Sequence, residues 1–584
     1  MISLALLVAT AHGCKQEQAA PLPEKPVVLD PLPIPADLVA DVFVPNPDAA
    51  WAKARVAVGG PAMFLPATTG ALAATLLGLP LIVASEIDGN VPVVGAVLDG
   101  RDGGKLRAAI ALHLRAADKF IHQVTTGENA RHVSRVDEQT KITLIEPKGG
   151  GTGSAALGVL GNYLIAAPTV AELVDVGPYV VRNLTTTKMP KNDMTFELPR
   201  AALEGPVAKT VRSKWDGIKP RPRTNSTAAA GASASLPSPL QSFVDGVLGV
   251  LGEIDRAKVT VDFDEQAAHV RFLGTPRSPV AAGSRVATMT VGDPSKLLEL
   301  PAATDVALYI HDAAEVREID AKGYATALAT AIGKDVSDDD RAAMEKALLS
   351  LAKSRGDTFA AGFSILPTGP AAFVKSSVTD RDGFGKAIDD LFGLVDRKPV
   401  ARWLGDLELG VSTSKTVVED VKGDVRRIRI ERLEAKADKP AKKPAGKQPE
   451  TPKKPDVSSA KLETPSSIDV LYHFGANDLV FGAGYDAKAA FRMVLDASPK
   501  DNLSTRGEVA KAIAALGGKA AFVVYADPIR VLARQAGSAL PATGAPLVFA
   551  LGKGGEGFGQ DDPWMRLDIA NIVIQELVKR RGAL

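Results

Sequence analysis

The chain is poor in cysteine, with a single residue of this type, Cys14, in 584 positions. One thiol excludes an intrachain disulfide, and it excludes the structural zinc and iron–sulfur sites that are built from several thiolates. A chain of this length buries enough apolar surface to fold without disulfide bonds. The cysteine therefore has to be explained by its own position in the sequence.

Three further shortages limit the function. Aromatic residues make up 5% of the chain, and its four tryptophans are spread out as core or edge residues usually are. The 69 basic residues are balanced by 68 acidic ones, whereas nucleic-acid-binding proteins usually carry an excess of positive charge. No apolar run reaches the roughly 20 residues of a membrane-spanning helix, because Pro80 interrupts the stretch 71–84. We therefore expect neither nucleic acid as a partner nor a transmembrane helix.

Signatures of catalysis are missing as well. The sequence has no H-E-x-x-H and no G-x-S-x-G, and His113 and His122 are too far apart for two metal ligands on successive helical turns. Residues 151–156 loosely match G-x-G-x-x-A, but strands are predicted on both sides, which indicates a hairpin loop. Asp102 and Asp382 each precede a predicted helix, so a capping or turn role fits them better than calcium binding. The sequence predicts no catalytic, cofactor or metal-binding residue.

The start of the chain explains the cysteine. Residues 2–11 form a short apolar run, and Gly13 supplies a small residue directly before Cys14. This arrangement resembles the signal of bacterial lipoproteins, in which the cysteine becomes the first mature residue and carries lipid. No Lys or Arg precedes the run, and Ala11 stands where Leu is usual. The resemblance implies that residues 1–13 are a signal peptide and that the protein is attached to a membrane through lipid on Cys14.

The segment that follows supports an anchor. Residues 14–36 contain six prolines, and such a segment prefers the extended polyproline II conformation and acts as a semi-rigid spacer. We interpret it as a tether between the lipid and a folded body. Lys15 follows the cysteine in place of an aspartate, which by resemblance to lipoproteins of two-membrane bacteria implies the outer membrane. The expected location is the cell envelope, facing the periplasm or the surface.

The chain also contains the same pattern of residues twice, in the same order. Repetition of this kind indicates repeated structural units. In one of the pairs, residues 91–98 with 371–378, each strand is followed by an Arg-Asp-Gly turn and a helix. This pattern predicts helices from Lys105 and from Lys386. The pairs are residues 41–44 with 305–308, 91–98 with 371–378, 161–166 with 476–481, and 194–198 with 521–525.

Alternating helices, strands and hairpins predict an α+β protein with two related halves, each a largely antiparallel sheet packed with helices. The predicted halves are residues 37–299 and 300–584. Ser337 and three aspartates precede an apolar stripe, which predicts a capped helix over 341–353. Residues 259–263 and 270–272 alternate as two strands of a hairpin do.

Two segments of biased composition interrupt these halves. Residues 219–240 are rich in Pro, Ser, Thr and Ala, which predicts a flexible excursion within the first half. Residues 434–467 are rich in Lys, Pro and Ala and have too few large apolar side chains to fold. We interpret this second segment as a disordered basic loop between strands 425–433 and 468–474. The alternative is contact with anionic lipid or cell-wall polymer.

The overall organisation resembles poorly characterised exported bacterial proteins built from duplicated α+β units, a resemblance that carries no specific activity. Our leading hypothesis is a non-catalytic binding or scaffold role, with an envelope protein held at a cleft or surface between the halves. The first alternative is a carrier or chaperone for an apolar ligand, which a dry pocket would favour. The second is an envelope hydrolase, which convergent carboxylates with perturbed pKa values would favour.

Overall fold

The protein is built on one antiparallel sheet of twenty strands in the described residues, and helices pack against both of its faces. The α+β class predicted from the sequence is confirmed. None of the helices in the described ranges is long and apolar enough to cross a bilayer. The computed structural model describes residues 30–100, 105–126, 130–149, 155–218, 239–281, 283–419, 421, 423–433, 467–475, 477–540, 544–555 and 559–581.

The strands and helices alternate along the chain, so that most helices connect two strands. The strands are β1 Leu38–Val44, β2 Val93–Leu98, β3 Arg107–His113, β4 His132–Val136, β5 Thr143–Pro147, β6 Ala156–Leu160, β7 Tyr163–Ala167, β8 Met194–Pro199, β9 Ile254–Phe263, β10 Ala267–Pro276, β11 Val306–His311, β12 Arg355–Leu366, β13 Gly369–Val378, β14 Leu409–Thr416, β15 Val425–Arg432, β16 Ser467–Phe474, β17 Asp478–Gly484, β18 Phe522–Ala526, β19 Leu547–Lys553 and β20 Pro563–Ala570. The helices are α1 Pro47–Val58, α2 Thr69–Leu76, α3 Ala117–Thr125, α4 Val170–Asn183, α5 Arg200–Ala202, α6 Ala208–Ile218, α7 Pro239–Glu253, α8 Arg285–Thr288, α9 Ala314–Ile332, α10 Asp338–Ser354, α11 Arg381–Gly393, α12 Lys398–Asp406, α13 Ala487–Leu495, α14 Gly507–Ala514, α15 Pro528–Gln535 and α16 Asn571–Arg581.

The strands pair in the order β4-β5-β6-β7-β3-β2-β1-β8-β9-β10-β20-β19-β18-β11-β12-β13-β17-β16-β15-β14. Strands β1–β10 form one contiguous run and β11–β20 form the other. Read from the edge to the middle, the second run has the same order as the first, with each number raised by ten. The two runs meet at a single pairing, between β10 and β20.

Central strands such as β7 and β17 serve two cores, because successive side chains point to opposite faces of a sheet. In β7, Leu164 packs in a cluster with Phe120 of α3, whereas the next residue, Ile165, packs in a different cluster with Val180 of α4. Such strands are buried on both faces, and they read as nearly continuous apolar runs rather than as alternating ones.

The second run follows the same rule. In β17, Leu479 packs with Phe384 of α11, and the next residue, Val480, packs with Phe491 of α13. The first of these two clusters is extended by aromatic edge contacts, including one between Phe384 and Phe474. Because helices cover both faces in each run, every side chain of these central strands has a defined face and a defined helix to pack against.

One sequence prediction is wrong. No helix begins at Lys105, because Arg107–His113 form β3, which pairs with β2 on one side and β7 on the other. The stretch is rich in alanine and reads as helical, but pairing on both edges outweighs this weak local preference. The strand before α3 is consequently β3 rather than β2, and it corresponds in position to β13, which precedes α11.

Other local predictions are confirmed. Ser337 caps α10 through a reciprocal capping box with Asp340. The predicted hairpin is β9–β10, and β15 pairs with β16 across the predicted basic loop. The basic loop, apart from Ser467, lies outside the described residues. Residues 219–238 of the excursion also lie outside them, and residues 239–240 of the excursion belong to α7.

Two predicted turn positions are refined by the structure. The cap of α11 is Asp380, whose carboxylate accepts a hydrogen bond from the backbone N–H of Gly383 at 2.9 Å, whereas Asp382 lies in the first helical turn. Asp102 lies outside the described residues. The glycine-rich residues 151–154 also lie outside them, but β5 and β6 on either side are antiparallel neighbours, as expected for a hairpin and not for a dinucleotide-binding unit.

A charged cluster reinforces the pairing of β10 with β20, which we call the seam. His269 lies directly opposite Asp568, and its Nδ1 is 2.7 Å from that carboxylate. Its Nε2 is 3.0 Å from Asp264, and Arg566 pairs with Asp568 at 2.8 Å. The hydrogen bond to Asp568 is the main reason that the pKa of His269 is raised, although partial burial opposes it. The imidazolium form therefore stabilises the seam.

We predict that His269→Gln destabilises the protein in acid more than in base. The raised pKa means that the charged histidine contributes fully below its unfolded value of about 6.5, and that this contribution is lost as the pH rises through the folded pKa. Urea unfolding should show a loss of about 1 kcal/mol near pH 6 that shrinks near pH 9. The exposed His122→Gln is the control, and an equal loss at both pH values would contradict the assignment.

Candidate functional site: a pocket at the seam

The clearest candidate site is an apolar pocket over the middle of the sheet, which we call the seam pocket. Its floor is one row of side chains that lie opposite one another across five neighbouring strands, so their common face follows from the register. The row draws on both runs, since one strand comes from the first and four from the second. Its members are Phe272 of β10, Met565 of β20, Leu551 of β19, Phe522 of β18 and Ile310 of β11.

Three helices form the roof and walls of the seam pocket. Helix α7 contributes residues at a spacing of one turn, which places them on one face of the helix. Helix α8 and the chain just after it add Thr288 and Met289, and α9 adds Val316. The α7 residues are Gly246, Val247, Val250 and Leu251.

Specific contacts hold this roof in place. The carboxylate of Glu253, at the end of α7, accepts hydrogen bonds from the backbone N–H groups of Arg285 and Val286 at 2.7 and 2.8 Å. The ammonium group of Lys553 on β19 donates to the carbonyl oxygens of Val286 and Ala287 at the other end of α8, each at 3.2 Å. Helix α8 is therefore fastened both to α7 and to the sheet, although it has only four residues.

The polar side of the seam pocket is built around a nearly buried arginine. Arg317 of α9 donates to the backbone oxygens of Asp312, Ala352 and Arg355, at 2.6, 3.0 and 3.0 Å. It also pairs with the carboxylates of Asp312 and Asp357, and Arg355 pairs with Asp312 as well. The carboxylate of Asp312 is thus neutralised by two guanidinium groups where it lines the pocket.

Asp320 and Arg285 stand at the rim, where both side chains are exposed. Although Asp320 is exposed at the surface, the protein around its carboxyl shields it partly from water, which raises its pKa, and Arg285 lowers the pKa by a smaller amount. No ion pair joins these two residues in the described structure. An amphipathic molecule seated in the pocket would meet groups of both signs at its polar end.

The dimensions and lining indicate what the seam pocket can hold. Its volume is about 260 Å³. An apolar cavity of about 150 Å³ accepts benzene, and sites for drug-sized ligands begin near 300 Å³, so this pocket suits a molecule between these sizes. Apolar walls with a few polar groups at one end favour binding by burial, with orientation set at the rim.

Trp564 closes one end of the pocket. Its indole N–H donates to the carbonyl oxygen of Gly554 at 3.0 Å, and its ring passes so close to Gly552 that a Cβ there would lie 2.7 Å from it. Glycine at position 552 is therefore required by this packing. The tryptophan is an anchor at the edge of a site, a role consistent with the core or edge position predicted for it.

The residues singled out from the sequence do not converge on this site. Cys14 lies outside the described residues, so its lipidation stays a prediction. Within the described part of the chain, no group of three or more His, Cys, Asp or Glu side chains is arranged to hold a metal ion. Of the six histidines in the described residues, only His311 lines the seam pocket, while His113 packs edge-on against Tyr163 and His269 lies at the seam.

A second cluster of buried charge holds α14 and α15 on the sheet. Asp305 and Asp527 are fully buried, and Arg506 pairs with Asp527 at 2.7 Å. Arg530 and Arg534 pair with Asp305 at 3.3 and 2.8 Å. Removing one partner from such a network destabilises a protein, because the other charge is left buried and unpaired. We assign this cluster a structural role, since each carboxylate is bound to an arginine.

Sequence reasoning missed the seam pocket. The floor residues come from strands that are far apart in the chain, and each reads only as an apolar residue of an alternating strand. The available signal was the alternation of apolar and polar residues along each strand. This alternation predicts which side chains share a face within a hairpin, but it does not predict which hairpins lie next to each other in the sheet. Comparisons with protein-family models, with curated proteins and with solved structures found no match to this chain.

One further carboxylate has a strongly shifted pKa. Asp41 of β1 lies opposite Glu197 of β8, and the hydroxyl of Tyr179 donates to it at 3.2 Å. Burial raises the pKa of Asp41 to about 6; the Tyr179 hydrogen bond opposes the rise and Glu197 adds to it. The group lies outside the seam pocket, so we treat it as a determinant of stability.

We predict that Asp41→Asn stabilises the protein at neutral pH. In the unfolded chain this carboxyl ionises near pH 4, whereas in the folded protein it ionises near 6, so folding loses stability as the pH rises between these values. Asparagine removes that penalty, which we expect to be about 1 kcal/mol because the carboxyl keeps some contact with water.

The measurement is urea unfolding at neutral pH and near pH 4, with Glu265→Gln, an exposed acid in the β9–β10 turn, as the control. The gain from Asp41→Asn should vanish near pH 4. A loss of stability at neutral pH would show that the ionised carboxylate is favoured by the fold.

Proposed function

We propose that this protein is a lipid-anchored, extracytoplasmic envelope protein that binds a small apolar molecule in the seam pocket. The observation that carries the proposal is the pocket itself, an apolar row on five strands covered by three helices. Of the three functions considered from the sequence, a carrier or chaperone for an apolar ligand is the one that a pocket of this kind supports. The protein binds its ligand without transforming it.

Burial supplies the driving force in this proposal. Each square ångström of apolar surface removed from water contributes about 25 cal/mol, and the floor and roof enclose a ligand from opposite sides. The rim residues Asp320 and Arg285 orient the polar end of the ligand. Asp312 is held between two arginines, so it is poorly suited to act as a free general base in a hydrolase.

We also propose that the two runs of strands are related halves that arose by duplication. Support comes from the identical order of strands in the two runs and from the parallel segments in the sequence. Three of the four parallel pairs fall on strands of equal position, namely β1 with β11, β7 with β17 and β8 with β18. In this proposal the ligand site lies where the halves meet, and one half alone lacks it.

The anchoring part of the proposal rests on Cys14 and on the tether. The last part of the tether is held on the folded body, since Leu32 exchanges two backbone-to-side-chain hydrogen bonds with Asn183 at the end of α4, at 2.9 and 2.7 Å. A tether needs such a fixed attachment at its folded end. We place the protein at the outer membrane, where it reaches its ligand or an envelope partner.

We predict that Gly246→Phe blocks the seam pocket. A side chain added at Gly246 meets open space on the pocket face of α7, so a phenyl ring there occupies the volume that a ligand needs. We expect the affinity for the apolar fluorophore N-phenyl-1-naphthylamine, followed by its emission, to fall by at least about tenfold.

The matched control is Gly252→Phe, which lies on the same helix, is exposed, also has open space around it and does not line the pocket. Its affinity for the fluorophore should equal that of the original protein. Circular dichroism and thermal unfolding confirm that both variants are folded. Equal affinity of a folded Gly246→Phe variant and the control would refute binding in the seam pocket.

We predict that Cys14→Ser shifts most of the protein out of the washed membrane fraction of a bacterial host, because only weak, reversible contact with the bilayer then remains. Without the thiol no lipid can be attached, and a multiply acylated cysteine is what holds such a protein firmly on a bilayer. Intact-mass analysis of the original protein should show Cys14 as the first residue with a lipid adduct. An unmodified N-terminus, with no difference in fractionation between the two proteins, would rule out the anchor.

A further inference from the structure

One part of the surface is unusually apolar. We call residues 56–85, which run from the last turn of α1 through α2 toward β2, the uncharged connector. Two short 3₁₀ turns carry its most exposed large apolar side chains. Gly60–Phe64 lies inside the connector, and Leu81–Glu86 extends one residue beyond its end. Phe64 is 92% exposed, and its neighbours Met63 and Leu65 are exposed as well. Leu81 and Ile82 of the second turn are 65% and 68% exposed.

The sequence of this connector has no charge. No Asp, Glu, Lys or Arg occurs between Arg55 and Glu86, although such residues make up 23% of the chain. A loop surrounded by water normally carries charged or polar side chains at its tip, and large apolar patches on a surface mark a site of interaction. The connector is therefore a candidate interaction surface.

The exposed residues are not the result of a loose loop. The indole N–H of Trp51 donates to the carbonyl oxygen of Pro66 at 2.8 Å, and Arg55 donates to the carbonyl oxygens of Ala62 and Met63 at 3.2 and 2.9 Å. The N–H of Thr69 donates to the carboxylate of Asp48, which fixes the start of α2. The turn that carries Phe64 is thus held from below by α1.

The connector exposes more large apolar side chains than it buries. Leu79 and Val83 are buried along with small residues such as Ala74, whereas Phe64, Leu81 and Ile82 are exposed. Burying the larger side chains in the protein would have been favourable for folding. Their outward position gains free energy only if something apolar covers them.

We propose that the uncharged connector inserts into the interfacial region of a lipid bilayer, with Phe64 at the centre of the contact. Protein interfaces usually combine apolar anchors with a polar, charged rim. A bilayer instead penalises charge in its interior and accepts aromatic and aliphatic side chains. The complete absence of charge from this connector matches a bilayer better than it matches a protein partner.

The start of the chain agrees with this occupant. The residues between Cys14 and Asp30 would span about 50 Å as an extended polyproline II segment, enough for the body to turn a chosen face toward the membrane. This step rests on the lipidation put forward under the proposed function, whereas the exposure and the lack of charge do not. Two weak membrane signals together anchor a protein more firmly than one.

The test uses the full chain with Cys14→Ser, so that no lipid contributes to binding. It is mixed with vesicles of phosphatidylethanolamine and phosphatidylglycerol, and the bound fraction is measured by sedimentation. We expect binding, and we expect Phe64→Asp in the same background to weaken it by at least about tenfold. The matched control is Val417→Asp, because Val417 is 87% exposed but lies after β14, away from the connector.

Phe64→Trp supplies a direct readout of insertion. The fluorescence emission of the introduced tryptophan should shift to shorter wavelength when vesicles are added. The emission of the tryptophan in Val417→Trp should not shift. The proposal is overturned if the Cys14→Ser protein does not sediment with vesicles, or if Phe64→Asp binds as Val417→Asp does. It is also overturned if, without lipid, Phe64→Asp abolishes self-association of the protein, since the connector would then be a protein interface.

These outcomes are separate from those of the proposed function. Fluorophore binding in the seam pocket does not depend on the connector, so Phe64→Asp should leave it unchanged. Failure of vesicle binding with intact fluorophore binding would overturn only the inference drawn from the connector. Loss of both in the Phe64→Asp variant would indicate unfolding, and Leu81→Asp, on the other turn, then repeats the vesicle test.

Discussion

The pairing of β10 with β20 is the contact on which the rest of this structure depends. Seven residue pairs, from Ala267 with Ala570 to Leu273 with Trp564, join two runs of ten strands into one sheet. A shift of one residue in this ladder would turn every side chain of the joined strand to the opposite face. The hydrogen bond of His269 to Asp568 favours one register, because a charged pair directly opposite is lost when the strands slip.

The seam also creates the candidate site. Only when β10 lies beside β20 does Phe272 complete the apolar row that Met565 continues across the second run. Helix α7, from the first run, then reaches over strands of the second, and Glu253 at its end caps α8 on the same side. The pocket therefore exists because two strand runs share one sheet, and each run supplies only part of its floor and part of its roof.

The connectors after β1 and β11 show how one position in the fold can serve two purposes. After β11 the long helices α9 and α10 pack together in an apolar cluster that includes Ala329 and Met344, and α12 contributes Val400 to it. After β1 the chain forms α1 and then the uncharged connector, whose largest apolar side chains are mostly exposed. In the second run the apolar surface is covered by a helix, whereas in the first run it stays exposed in the described residues.

The sequence by itself determined the local features: the α+β class, the caps such as Ser337, the β9–β10 hairpin and the strands on either side of the basic loop. These follow from periodicity and turn chemistry, which act over a few residues. It misassigned β3, because an alanine-rich stretch has no strong preference until β2 and β7 pair with it. Only the tertiary structure decided the strand order, the register at the seam and the pocket. Contacts between residues hundreds of positions apart, such as Phe272 and Met565, leave no periodic signal in the sequence around either one.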